Sequence, residues 1–231
     1  MHPFDEERHF LGGNGIVGAQ IPVATGVAFT QKYEESGGAT MVFFGDGAIH
    51  QGAFHESLNM AKIWELPVVF VCENNQFGMG TSWKRVSSVS DFSVMGASYG
   101  IPGRQVDGMD VLAVRDAFKE AVDSARGGMP VFLEVKTYRF KGHSMSDPQK
   151  YRSKEEVEAY RQRDPILSFQ DRLLSGGEIS KDEIDAMEAK IAGIVDDSVA
   201  FSESSPEPSL SALFEDVYAA PYPGYGATGG R

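Results

Sequence analysis

The sequence predicts an α/β fold, a three-layer α/β/α domain on a mostly parallel sheet with a C-terminal helical extension, and three observations carry that prediction. Two short apolar runs, residues 39–44 (ATMVFF) and 68–72 (VVFVC), each stop on a polar cluster: Gly45-Asp46-Gly47 after the first, Glu73-Asn74-Asn75 after the second. Between them Phe54, Leu58 and Ala61 recur at the i, i+4, i+7 spacing of one helix face. The 26 residues between Gly47 and Asn74 suit one helix, a short turn and a strand returning to the same sheet edge, as a parallel β-α-β crossover requires. A further helical period at 111–126 and a strand-like run at 130–138 (PVFLEVKTY) extend the alternation.

The elements follow in order. Residues 12–18 (GGNGIVG) form a glycine-dense loop in which backbone can approach a ligand closely, and the apolar, small-residue stretch 19–33 suits a buried helix. Residues 39–44 read as a short buried strand, and Pro67 opens the second apolar run. Met60 and Trp64 fall at helical positions and are expected to fill the core. Residues 139–153 (RFKGHSMSDPQKYRS) combine glycine, proline and charge without an apolar period, which predicts a loop long enough to be functional. Downstream, 154–163, 165–174 and 181–202 read as surface helices, the last with acids in its first turn at Asp182 and Glu183. The expected organisation is an α/β domain over 1–153, a helical extension over 154–218 and a flexible tail over 219–231, rich in Pro and Gly.

Composition narrows the function classes. The chain of 231 residues is 42% hydrophobic and can bury one substantial core. Its 21 Lys and Arg against 33 Asp and Glu give a formal charge of -12, a potential that repels nucleic acid and anionic lipid. No apolar run approaches the roughly 20 residues of a membrane span, and the opening residues do not read as a secretory signal. Cys72, the single cysteine, lies in an apolar run and is expected to be a buried, inert thiol. Lys136, Arg139, Lys141, Lys150, Arg152 and Lys154 make the 139–153 region locally basic, either a solvated face or a lure for anions.

In an open parallel sheet ligands sit beyond the carboxyl ends of the strands, and two adjacent predicted strands deliver Asp46 and Asn75 to that edge. A carboxylate and an amide oxygen are the hard donors magnesium takes, and magnesium usually completes its octahedron with phosphate oxygens. Gly47 and Ala48 lead toward a helix N-terminus, whose free N–H groups favour an anion. Gly-Asp-Gly alone also makes a plain turn; the spacing to Asn75 favours a metal-bridged diphosphate.

The string GDGAIHQGAFHESLNMAKIWELPVVFVCENN, 45–75, closely resembles the thiamine diphosphate-binding motif of 2-oxo acid dehydrogenase alpha subunits. With GGNGIVGAQIP (12–22), MGTS (79–82), VDGMD (106–110) and TYRFKGHSMSDPQKYR (137–152), the resemblance covers nearly the whole chain. It implies a thiamine diphosphate-binding fold, with Asp46, the Asn75 side chain and the Phe77 carbonyl as ligands of Mg2+; the family often has Tyr at the Phe77 position. It implies that Gly47 and Ala48 lie beside the diphosphate and that the main chain at Gly15 and Val17 grips the aminopyrimidine ring. His143 matches a loop histidine at the active-site mouth, near the diphosphate, and Ser144 a position phosphorylated by a dedicated kinase in animal members. The implied activity is oxidative decarboxylation of a 2-oxo acid, passing the acyl group to a lipoyl group. Gly142 to Pro148 look most like the pyruvate-type sequence; acetoin and branched-chain types are the alternatives, along with a truncated, non-catalytic assembly module.

The resemblance also implies partners: a beta subunit, in an alpha2beta2 assembly, that supplies the glutamate triggering cofactor activation, and the lipoyl domain of a dihydrolipoyl acyltransferase. No catalytic carboxylate is assigned in this chain, and Glu56 and Glu73 stay without a role. The implied compartment is the cytoplasm in a bacterium and the mitochondrial matrix or plastid in a eukaryote. Family members carry a sizeable segment ahead of the position of Met1, so the α/β domain is expected to be incomplete on that side and to expose an apolar face.

Overall fold

The structure, a computed structural model, describes residues 4–215. Helix α1 (Gln20–Tyr33) precedes strand β1 (Thr40–Gly45), and a 3-10 turn at Asp46–Ala48 leads into α2 (Gly52–Ile63) and β2 (Val68–Asn74). A small hairpin, β3 (Phe77–Gly78) and β4 (Thr81–Ser82), is followed by a 3-10 segment at Phe92–Tyr99, β5 (Gly103–Asp107), α3 (Val111–Arg126) and β6 (Val131–Lys136). Helices α4 (Lys154–Arg161), α5 (Pro165–Ser175) and α6 (Lys181–Ser204) follow, and a 3-10 segment at Leu210–Phe214 closes the described chain.

The main sheet has the order β1-β2-β6-β5, and all its neighbours are parallel. One face carries Val42, Phe44, Val68, Phe70 and Phe132 against α1, α2 and the 92–99 segment. The other carries Val69, Val71, Leu133 and Val135 against Ala117, Ala121 and Ala125 of α3. This is the predicted three-layer arrangement, and it explains the continuous apolar runs of β2 and β6: strands covered on both faces need apolar side chains in both directions. Phe54, Phe70 and Phe132 are fully buried, each contributing about 1.5–3 kcal/mol by removal from water.

Three expectations are corrected. Strand β1 is not buried throughout but alternates, with Met41 and Phe43 each 45% exposed. As an edge strand it is only marginally covered by α3, which packs mainly on β2, β5 and β6 and reaches β1 through Phe118, stacked on Phe43. Helix α1 buries only the stripe Ile21, Ala24, Thr25 and Ala28, leaving Val23, Phe29 and Tyr33 exposed. Met60 and Trp64 are 40% and 42% exposed rather than core. Met60 lies two residues, about 200° of helical rotation, from Leu58 on the core stripe, and Trp64 caps the end of α2. Both β1 and α1 thus leave large apolar side chains exposed.

The chain divides into two compact units, Met1–Arg172 and Leu173–Arg231. The expected boundary at 153 falls inside the first, because α4 is tied to the end of β6. Tyr138 stacks on Tyr160 with ring centroids 3.9 Å apart, and its hydroxyl donates to Glu156 at 2.9 Å. Burial, together with that bond to a carboxylate, pushes the phenol up to about 12. In the second unit α6 opens with a capping box between Ser180 and Glu183, where the acids of its first turn were expected. The tail at 219–231 lies outside the described residues. Among those described, no helix is long and apolar enough to cross a membrane.

Candidate functional site

The parallel register pairs Gly45 with Glu73, so β1 and β2 end level with one another. Asp46 is the first residue after β1 and Asn75 the first after β2. Asp46 is only 5% exposed, and its Oδ1 has no hydrogen-bond partner. Burial pushes its carboxyl up to about 6, against the opposing pull of its own backbone N–H, the Arg139 guanidinium and the Asn75 N–H. A buried carboxylate oxygen without a donor is costly, unless something outside the chain satisfies it.

The loop after β2 is shaped to present oxygens. Asn74 Oδ1 accepts from the Gln76 N–H at 3.1 Å and Asn75 Oδ1 from the Phe77 N–H at 3.1 Å, two successive side chain-to-backbone turns. Gln76 sits at φ 79°, the left-handed region that favours glycine. The Phe77 carbonyl accepts from Arg139 Nη1 at 3.3 Å, which leaves it a second lone pair. Gly47 and Gly78 meet face to face: a Cβ on either would stand 3.3 Å from the other's Cα, so the 46–48 turn and the hairpin pack backbone on backbone.

Asp46, Asn75 and the Phe77 carbonyl therefore form an all-oxygen set with one orphaned, buried carboxylate atom. That set suits a hard divalent cation, with oxygens of a bound anion completing its shell. Among the described residues no cluster of three His, Cys, Asp or Glu side chains could hold a metal by itself. A cation at this edge would depend on the mixed set and on its ligand.

The glycine-dense loop reaches the same place. Gly18 has φ 85°, and a Cβ there would lie 3.2 Å from Gln51 Cγ and 3.9 Å from Ala48 Cβ. The end of the loop is thus seated on the Ala48 turn and the start of α2, with Gly15 and Val17 exposed just before it. Gln51 makes no side-chain cap to α2, so no side chain of that residue competes for the N–H groups of the first turn.

His143 and Ser144 lie on the 139–153 loop, exposed, at an open cavity of about 480 Å³ that Met79, Gly80, Asp147 and Tyr151 also line. The same hairpin walls this cavity and abuts Gly47. Asp147 organises the loop: its carboxylate accepts from the His143 N–H at 2.8 Å, the Tyr151 hydroxyl at 2.7 Å and the Gln149 N–H at 2.8 Å. Those donors, that of His143 first, pull the acid down to about 2.

Arg139 and Arg152 are neither a solvated face nor a free lure for anions. Arg139 donates to the carbonyls of Phe77, Met79 and Lys141 and to the Tyr151 hydroxyl. Arg152 donates to the carbonyls of Arg139 and Phe140 and to Gln149, and lies over the rings of Phe77, Tyr138 and Tyr151 at 5.4–5.7 Å. They pin the loop to the hairpin, while Lys141, Lys150 and Lys154 remain exposed. Cys72 is fully buried, and burial pushes its thiol well above the ordinary range. Sequence reasoning passed over Glu134, a fully buried acid on β6; the signal was an acid inside an otherwise apolar strand, VFLEVK.

Comparison with known proteins shows the family of the chain. The sequence pattern of the family described as "Dehydrogenase E1 component" matches residues 1–211. The chain is 50% identical over 219 residues to the pyruvate dehydrogenase E1 component subunit alpha of Rhizobium meliloti (strain 1021), covering 94% of this chain and 63% of that protein. It is 47% identical to the protein of the same name from Rickettsia conorii, covering 94% and 67%. To the type II mitochondrial subunit alpha of Ascaris suum it is 46% identical, covering 94% and 56%. The chain thus spans 56–67% of the length of these curated relatives.

Proposed function

Because the chain belongs to the dehydrogenase E1 component family, we propose that it is the cofactor-binding part of a pyruvate dehydrogenase alpha subunit, taking thiamine diphosphate and Mg2+. The observation that carries this reading is the orphaned Asp46 carboxylate oxygen at the carboxyl ends of two adjacent parallel strands, level with Asn75. When bound, thiamine diphosphate supplies the electron sink that lets carbon dioxide leave the 2-oxo acid.

The residues of this chain bind and orient. Asp46, Asn75 and the Phe77 carbonyl hold the cation; Gly47 and Ala48 offer backbone to the diphosphate; Gly15 and Val17 contribute main chain to the aminopyrimidine ring. His143 lies at the rim of the cavity on the loop that Asp147 fixes, and there it would stand near the diphosphate. A beta subunit completes the site in an alpha2beta2 assembly, and a lipoyl domain of an acyltransferase takes the acyl group. Acetoin and branched-chain 2-oxo acids are the competing substrates, and a substrate panel with the cognate beta subunit separates them. Ser144 is a candidate regulatory phosphosite: it is exposed, with its Oγ 3.2 Å from Ser146 Oγ, and a phosphate there would repel nearby Asp147. Intact mass before and after phosphatase treatment of native protein checks this, an unchanged mass counting against it.

The experiment for the main reading is calorimetric titration of the chain with its beta partner, using thiamine diphosphate with and without Mg2+. Magnesium-dependent binding that disappears in Asp46→Ala is the expected outcome. Binding indifferent to both would discard the cation site.

A further inference from the structure

Glu134 has no place in the ligand set, yet it is a fully buried acid in the central part of the sheet. Its strand pairs with β2 so that Cys72 stands opposite Glu134 and Asn74 opposite Lys136. Period two then places Glu134, Cys72 and Asn74 on one face of the sheet. Glu134 Oε1 accepts from Asn74 Nδ2 at 2.7 Å, while its Oε2 accepts from the Phe92 N–H at 2.8 Å and from Gln105 Nε2 at 3.0 Å. With three donors on two oxygens, the acid is satisfied without any cation of the protein.

The bond to Asn74 has a directional consequence. An amide carries its donor on one atom and its acceptor on the other. By engaging Nδ2, Glu134 turns Asn74 Oδ1 toward the Gln76 N–H, which it receives at 3.1 Å. Gln76 Nε2 in turn donates to the Asn74 carbonyl at 3.1 Å, and Gln76 Oε1 receives the Trp83 indole N–H at 2.8 Å. These bonds bracket the peptide units that carry Asn75 and Phe77, and they hold Gln76 at its positive φ. A non-glycine residue keeps such a conformation only where its surroundings over-determine it.

We propose that Glu134 is a positioning residue for the cation site: through Asn74 and Gln76 it sets the 74–77 loop in the conformation that presents the Asn75 side chain and the Phe77 carbonyl beside Asp46. The proposal rests on the reading of those three groups as cation ligands.

The test is Mn2+ affinity, measured by electron paramagnetic resonance on the complex with its beta subunit at saturating thiamine diphosphate. Glu134→Gln puts an amide donor where an acceptor is needed and is expected to weaken Mn2+ by roughly 10–100-fold, the usual cost of losing a partner behind a metal ligand. The double variant Asn74→Asp with Glu134→Gln reverses donor and acceptor across the pair, keeps a side-chain oxygen at position 74 to accept the Gln76 N–H and preserves net charge. It is expected to recover most of the affinity, which general damage to the core would not allow. Should Glu134→Gln fail to assemble, Gln76→Ala cuts the relay at its half-buried end and is expected to weaken Mn2+ in the same direction. Unchanged affinity in the single variants, or no recovery in a double variant that assembles normally, overturns the positioning role. A parent complex that binds no Mn2+, indistinguishable from Asp46→Ala, overturns the cation assignment itself and the proposal with it.

Discussion

Asp46 and Asp147 stand on two sides of the same hairpin, and their surroundings treat a carboxylate in opposite ways. Asp46 is buried with one oxygen unpartnered, and burial pushes it up to about 6. Asp147 is surrounded by three donors of its own loop, which pull it down to about 2. The second acid is complete within the chain and serves to shape a loop. The first is incomplete: burial outweighs the downward pull of two backbone N–H groups and Arg139 on its carboxyl, and one oxygen stays without a partner. Two acids a few residues from glycines look alike in the sequence; donor count and burial separate the one with an unpartnered oxygen from the one that holds structure.

Substitution at Asp46 should break this contrast most strongly. Asp46→Asn should lose magnesium-dependent cofactor binding by calorimetry, yet raise the stability of the ligand-free chain near pH 7 by roughly 1–3 kcal/mol, read by urea unfolding. The sign follows from the raised folded value: the folded chain holds the proton more tightly, so ligand-free stability falls as pH rises from 3.8 through about 6, and the variant should flatten that slope. A less stable Asp46→Asn chain would mean that the carboxylate has a partner of its own. Arg152→Ala should follow in size. It strips the loop of two backbone contacts and three ring faces, at a cost of about 2 kcal/mol, with faster proteolysis within 139–153; Arg152→Lys should rescue little, since an ammonium lacks the planar fork. Smallest is Asp147→Asn, which should leave global stability nearly unchanged while amide exchange at His143 and Gln149 quickens. Because the Asp147 value is depressed, its contribution is present above pH 3.8 and fades as pH falls toward about 2, so parent and variant loops should exchange alike at the acid end.

Much of the fold was legible because the signals were local. Helix α3 and strand β6 fall where the 3.6 and apolar periods placed them, and the Asp46 and Asn75 loops end level because one crossover of suitable length separates them. Strand β5 was missed: GRQVD buries only Val106 and has no apolar alternation to read. The exposure of Met41, Phe43 and Trp64 was missed because an apolar residue reads the same whether or not a layer covers it. Within the site, Asp46, Asn75 and Phe77 could be named from strand ends and from the family resemblance, whereas Glu134, Arg139 and Arg152 could not be given roles. Glu134 and Arg139 find partners about 60 residues away, at distances no window on the sequence spans, and Arg152 depends on the distant ring of Phe77 and on how its own loop folds.

By itself the sequence determined the layer order, the sheet edge at which polar residues gather and the family, because period, length and motif are properties of contiguous residues. Only the tertiary structure decided which of those polar groups are satisfied. The orphaned oxygen of Asp46 and the Glu134 bond that turns Asn74 arise where β1, β2 and β6 pack side by side, and the three donors around Asp147 where its own loop folds back on it. Hydrogen-bond satisfaction and desolvation depend on every neighbour in space, and those neighbours exist only once the sheet has formed.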